Sequence, residues 1–357
     1  MEPADPRKAS AHQLYFGYPL EHVALLEKYR ATDLQPAPGC YTDYFGIRTR
    51  LSLFGFDRTE WFEQNSGMVP FPDDSMHAET IEYLTCVRAV EMAGKRFCAV
   101  EFGAGWGPWI TLCAVLAIRK GVRDVSLLAI EADRKKLDLM REHLTANGLP
   151  YDATVRHPSG ATVSAKVVHA GVAAKTGTIS FAVADGVDWG GAVTEKAGRE
   201  DYRGMRLDAV TVPALSVADA LASHDRVDIL HVDIQGAERA AIPAGIDVLD
   251  RKVSTLAIGT HSRLIEGELM ELLSRHGWTL EYEKPCKLQY RQGVALEGMT
   301  VVDGTQFWIN PRLALASKTR SGSWSRARPS RPRRAPRGGR SREPIRPRPR
   351  RPRPPRP

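Results

Sequence analysis

Val100-Glu101-Phe102-Gly103-Ala104-Gly105-Trp106-Gly107-Pro108-Trp109 is the stretch on which the reading of this chain turns. It follows the apolar residues Phe97–Val100 and precedes an apolar run from Ile110 to Ile118. The pattern is strand, glycine loop, helix, with Pro108 at the first helical position, where a missing N–H costs nothing. Such a loop lets a ligand approach bare backbone at a helix N-terminus. Cys98–Ile118 has the length of a membrane span of about 20 residues. Three glycines, Pro108 and Glu101 inside it argue instead for a buried strand followed by a buried helix.

Two ligand classes use this architecture, dinucleotides and S-adenosylmethionine. The dinucleotide fingerprint is G-x-G-x-x-G/A, and its last small residue allows tight packing of helix on strand. Here the spacing is G-x-G-x-G, and Pro108 stands where that fingerprint wants Gly or Ala. Glu101 would repel a pyrophosphate by roughly a few kcal/mol at protein-like dielectric. Beside the ammonium and sulfonium of S-adenosylmethionine the same carboxylate is favourable. A second acid, Glu131, ends the apolar run Val125–Ile130, at the distance expected for a residue that binds ribose hydroxyls. Between them, Arg119, Lys120 and Gly121 are suited to close the helix.

Further along, residues 76–94 show helical spacing, with Ile81, Leu84, Val87 and Val90 on one face. A second amphipathic helix is expected from Asp133 to Ala146, stopped at Asn147-Gly148. Lys166–His169 reads as a strand that continues into a hairpin, turning at Lys175-Thr176-Gly177 and returning through Thr178–Phe181. Five glycines within 185–205, beside Trp189 and Tyr202, suit either a lid over substrate or a plain surface insertion. Strands are expected at Val227–Val232 and Val253–Ile258, each followed by a helix, and late strands at Thr279–Tyr282 and Thr305–Ile309. Alternating strands and helices imply an α/β, Rossmann-like, doubly wound and mostly parallel sheet, with the late strands forming an antiparallel edge. Ligands of such sheets lie beyond the C-terminal strand ends. Glu101, Glu131, Asp233 and His261 all fall there.

The net charge of +8 over 357 residues is unevenly distributed. From Lys318 to Pro357 there are fifteen Arg, one Lys and one Glu; the remainder carries 34 basic against 41 acidic residues. This tail also holds ten of the 24 prolines and few large apolar residues, so it is expected to be disordered. A charge block alone is weak grounds for polynucleotide binding, and Trp324 is its only aromatic residue, so nucleic acid is not an expected partner. Three regions follow: an aromatic, turn-rich cap at 1–75, a catalytic domain at 76–317 and the tail at 318–357. The five cysteines lack metal-site spacing and read as reduced thiols. With no apolar leader at the N-terminus, a cytoplasmic protein is expected.

Together these residues resemble the FkbM family of class I S-adenosylmethionine-dependent methyltransferases. VEFGAGWGPW stands at the first motif, and Asp233-Ile234-Gln235-Gly236-Ala237-Glu238 matches the family's Asp-x-(Glu/Gln)-Gly-Ala-Glu signature. Gly259-Thr260-His261-Ser262 and Asp303-Gly304-Thr305-Gln306 resemble one branch of it. The resemblance spans about residues 76–312. It implies a seven-stranded sheet and O-methylation of a hydroxyl on a saccharide, polyketide or other small molecule. It further implies that Glu101, Gly103, Gly105 and Gly107 contact the methionine part of the cofactor and that Glu131 takes the ribose diol. His169 to Gly171 would then lie near the adenine, although no acid there offers itself to the adenine amino group.

Methyl transfer to oxygen needs an aligned nucleophile and somewhere for its proton to go. Asp233, at the end of a central strand, is the first candidate base, and His261 is the second. An equally good reading makes Asp233 the N-cap of the following helix. Glu238 falls in that helix's first turn, where the dipole favours an acid whatever its task. No metal is expected, since Thr260-His261-Ser262 supplies no second acid and His261 with Asp233 would make a poor site. A nucleic-acid-associated methyltransferase or binder using the tail remains the alternative; Pro108 and Glu101 disfavour a nicotinamide enzyme.

Overall fold

The computed structural model describes residues 17–34, 37–54, 66–71, 80–183, 208–294 and 296–313. The glycine-rich segment at 185–205 and the tail at 318–357 lie outside them. In chain order the elements begin with α1 (Leu20–Lys28), β1 (Cys40–Thr42), β2 (Arg48–Arg50), α2 (Thr80–Met92) and β3 (Arg96–Phe102). Then come α3 (Pro108–Lys120), β4 (Asp124–Glu131), α4 (Arg134–Ala146), β5 (Ala153–Arg156), β6 (Thr162–His169), β7 (Gly171–Ala173) and β8 (Gly177–Val183). The remainder is β9 (Asp208–Ser216), α5 (Val217–Ala220), β10 (Val227–Val232), α6 (Glu238–Lys252), β11 (Val253–Thr260), α7 (Arg263–Arg275), β12 (Thr279–Lys284), β13 (Lys287–Leu288), β14 (Thr300–Val302) and β15 (Gly304–Ile309).

The main sheet runs in the order β12-β15-β11-β10-β3-β4-β6-β5. The five strands from β11 to β6 are parallel, while β15 and β12 form the expected antiparallel edge. All seven expected strands are present. The eighth, β5, pairs antiparallel with β6 at the far edge, and all four of its residues are exposed, so it has no apolar alternation to reveal it. The chain builds outward from β3 through β4 to β6, then returns to place β10 on β3's other side. The switch point therefore falls between β3 and β10, where such folds bind ligands.

Both faces of the sheet are covered, and the strand pleat shows it. Phe97 and Ala99 of β3 join the core formed with Leu84 of α2, Ile110 of α3 and Met140 of α4. Cys98, Val100 and Phe102 point to the opposite core with Ile242 of α6 and Leu269 of α7. Burial on two faces explains why the strand reads as a continuous apolar run; each fully buried large side chain contributes roughly 1.5–3 kcal/mol.

The hairpin expected after β6 is corrected by the structure. The return strand exists as β8, but β9 lies between it and β7, parallel to β7 and antiparallel to β8. Pro213 sits inside β9 and disguises it in sequence, because proline is rarely found within a strand.

The N-terminal residues share the main core. Tyr18, Leu26, Tyr29 and Phe45 are buried against α2 and α3. Arg119 donates to the carbonyls of Tyr29 (2.6 Å) and Phe45 (2.8 Å), and the Asn147 side chain pairs with both backbone groups of Arg48.

Candidate active site

The loop after β3 is built by three glycines with positive φ: +72° at Gly103, +55° at Gly105 and +72° at Gly107. They serve different ends. A side chain at Gly103 would come within 1.8 Å of the Asp233 carbonyl oxygen, so this glycine lets the ends of β3 and β10 close up. Asp233 N–H in turn donates to the Phe102 carbonyl at 2.9 Å. At Gly107 a side chain would press on Met140 of α4. Gly105 alone of the three faces open space. Its N–H donates to Glu131 Oε2 at 2.7 Å, while Glu131 Oε1 accepts from Asp133 N–H at 2.7 Å. Glu131 thus holds the loop and the start of α4 in one geometry.

Glu101 lies under the loop rather than in its mouth. Its side chain is turned toward α3, where Oε2 accepts from Ile110 N–H at 3.0 Å, and the residue is 1 % exposed. In this structure the side chain is engaged by backbone N–H groups of α3. The first turn of α3 offers unsatisfied donors and a favourable dipole, and these claim the carboxyl group. Burial pushes its pKa up to about 8, against the opposing pull of His231 and the N–H groups of Ile110 and Trp109. His231 is the cross-strand neighbour of Glu101, buried beside the Trp109 ring, with Glu82 3.7 Å from its Nε2. Burial alone would lower the His231 pKa, but Glu82 and Glu101 raise it.

Beyond β10 the geometry differs. Asp233 Oδ1 lies 3.2 Å from His261 Nε2 and accepts from Gln235 Nε2 at 2.9 Å. On the other side of the imidazole, Nδ1 faces Glu238 Oε1 at 3.3 Å without closing a well-aligned hydrogen bond. Glu238 is fully buried and accepts from Ile234 N–H (2.7 Å) and Gly236 N–H (2.8 Å), which fixes the turn carrying Asp233. Glu238, not Asp233, therefore satisfies the N–H groups before α6. The Asp233 side chain keeps 38 % of its surface exposed. Its pKa is held down to about 2: burial would raise it, but the contacts with His261 and the charge of His231 outweigh that. Burial would likewise discharge His261, yet Glu238 and Asp233 lift its pKa well above the ordinary imidazole value.

The donor atoms of Asp233, Glu238 and His261 lie within 4.8 Å of one another, close enough for a metal ion. The carboxylates, however, sit against opposite ring nitrogens, and both Glu238 oxygens already accept backbone N–H groups. This is the layout of a charge chain rather than of ligands converging on one point.

The structure thus brings Gly103, Gly105, Glu131, Asp233 and His261 to one end of the sheet, with Gly107 at the start of α3. Gly171 is different: it is buried in β7, and a side chain there would meet Ile179 at 2.2 Å, so packing accounts for this glycine. His169 Nε2 is within 3.0 Å of the Ala132 carbonyl. Two residues were missed in sequence. Glu238 was read only as a helix-start acid. Gly259 makes room for Asp233, since a side chain there would lie 3.2 Å from the carboxyl carbon.

Residues 98–277, just over half of the chain, match the model of the Methyltransferase FkbM domain. A protein of Jannaschia sp. (strain CCS1) named "Putative methyltransferase" is 25% identical over 291 residues, covering 81% of this chain and 98% of its own length. Among solved structures, the Bacillus cereus O-methyltransferase in complex with SAH overlaps with a TM-score of 0.35 at 10% identity, over 65% of this chain and 81% of that one. The Geobacter metallireducens GS-15 precorrin-6y C5,15-methyltransferase gives 0.35 at 10% identity, over 66% and 90%. The matched residues 98–277 contain the glycine loop, Glu131 and the Asp233–His261–Glu238 cluster, and this chain is a member of the FkbM methyltransferase family.

Proposed function

We propose that the chain is an S-adenosylmethionine-dependent O-methyltransferase acting on a hydroxyl of a saccharide, polyketide or other small molecule. The observation that carries this reading is the close approach of Gly103 to the Asp233 carbonyl, which joins the donor loop to the candidate base. The residues fit the cofactor. Gly105 leaves open the space a side chain would fill, and Glu131 stands at the end of β4 with lone pairs to spare for a diol. When bound there, the cofactor supplies a methyl group already activated by its sulfonium. The protein's part is to align the acceptor hydroxyl and receive its proton. Asp233, with His261 against it, supplies that function, and residues 76–317 carry the activity.

Calorimetry with S-adenosylhomocysteine and with NAD tests the donor assignment, and binding of NAD alone would overturn it. A radiolabelled-methyl assay over a panel of hydroxylated compounds tests the acceptor class. In that assay Asp233→Asn is expected to lower turnover by about 10²–10⁴-fold, the usual contribution of a positioned base, with S-adenosylhomocysteine affinity retained. Unchanged turnover would remove Asp233 from the chemistry.

A further inference from the structure

We infer that Glu238 is a positioning residue which fixes His261 as an imidazolium, so that Asp233, and not His261, takes the acceptor's proton. This deepens the proposed reaction and rests on it.

The inference starts from the two faces of one ring. Each nitrogen of His261 has a carboxylate oxygen within 3.3 Å, the part-exposed Asp233 at one and the buried Glu238 at the other. A neutral imidazole carries one N–H and one lone pair. With carboxylates at both nitrogens, the neutral ring would turn its lone pair on one of them at ion-pair distance. The doubly protonated ring meets both anions with protons. Glu238 cannot swing away to relieve such a clash, because the N–H groups of Ile234 and Gly236 hold its two oxygens and the residue has no exposed surface. The surrounding charges agree. From the turn before β15, Asp303 couples electrostatically to His261, as Asp233 does from the end of β10 and Glu238 from α6. Lys284, at the end of β12, acts on Asp303.

An imidazolium has no lone pair to offer, which leaves Asp233. Its Oδ1 is turned to His261 and Gln235, and among the described residues no hydrogen bond is made to Oδ2. In the transfer, the acceptor oxygen forms a bond to the methyl carbon as the carbon–sulfur bond breaks, and that electron pair remains on sulfur. The acceptor's proton passes to Asp233 Oδ2 and from there, across the exposed side of the carboxyl group, to water. A weakly basic carboxylate suffices, because an oxygen that has gained a methyl group before losing its proton is a much stronger acid than any carboxylic acid. His261 then serves to orient Asp233 and to keep the cluster's net charge at one negative unit.

The test is a titration of the full chain labelled with ¹⁵N-histidine, with His261→Asn identifying the signal. The wild-type ring is expected to be doubly protonated at pH 7, where a free imidazole, with a pKa of about 6.5, is mostly neutral. Glu238→Gln should bring the midpoint down by roughly 1–3 pH units, the effect of losing an adjacent opposite charge. Asp233→Asn provides the same measurement at a part-exposed site if the buried substitution does not fold. A wild-type ring that is neutral at pH 7, or one indifferent to both substitutions, overturns the inference. These readings need no donor, so failure of S-adenosylhomocysteine to bind would count against the proposed reaction alone. With the panel hydroxyl that wild type methylates best, Glu238→Gln should change the pH profile of turnover and leave the KM for the donor unaltered.

Discussion

Glu101 and Glu131, at the ends of β3 and β4, turn their oxygens on backbone N–H groups, whereas Asp233 beyond β10 turns one oxygen on His261 and keeps its side chain part-exposed. Both regions place acids at the same edge of one sheet, just before a helix. On the glycine side the acids set shape. They fix the loop, the start of α3 and the start of α4. On the Asp233 side the shaping is delegated to Glu238, and this leaves the Asp233 carboxyl clear of backbone N–H groups. An acid at a strand end thus announces a ligand site without saying which acid meets the ligand. That depends on which N–H groups its neighbours have already satisfied.

The contrast breaks most severely at the contact between the two sides. Gly103→Ala drives a methyl group into the Asp233 carbonyl and strains a left-handed φ, and should cost about 3–5 kcal/mol of stability in urea unfolding. Gly105→Ala meets open space and should cost only the φ strain, about 1–2 kcal/mol. Equal costs would mean that the two sides do not touch as described. Next in size, Glu131→Ala releases the N–H groups of Gly105 and Asp133, and calorimetry should show S-adenosylhomocysteine affinity falling roughly 10–100-fold, in line with about 1.5–3 kcal/mol for a hydrogen bond to a charged group.

The most pH-dependent effect concerns Glu101. Its pKa rises from 4.5 to about 8 on folding, so the native state binds the proton more tightly than the unfolded chain. Stability from this group is complete below pH 4.5 and is lost as pH rises through 8, by up to about 1.4 kcal/mol per pH unit within that window. Glu101→Gln mimics the neutral form. Its thermal unfolding should match wild type below about pH 4 and pull ahead as pH rises from there to about 8. Parallel profiles would show that Glu101 is ionised in the fold.

The strand–loop–helix core was legible because three constraints coincide there: a two-face-buried strand, glycines that no other residue can replace without strain, and a proline at a helix start. The antiparallel edge of β12 and β15 was legible from the strands that follow the last helix. What stayed hidden lacked a linear signal. The four residues of β5 are all exposed and show no alternation. Glu238 and His261 lie on separate elements, and no spacing says that one carboxylate faces Nδ1. Glu101 was read from its charge, which favours a cationic ligand, yet the donors of α3 are nearer and burial keeps the group largely neutral. Gly171 was assigned by its place after a strand, while its reason is the Ile179 side chain.

The absent side chain at Gly103 also bears on how such a protein can diversify. Because the loop backbone rests directly on the Asp233 carbonyl, no slack lies between the loop and the turn that carries Asp233. A transplanted glycine loop would therefore have to bring a partner turn after β10 that fits it. The same contact means that the position of Asp233 is set by the loop backbone itself, before any ligand arrives.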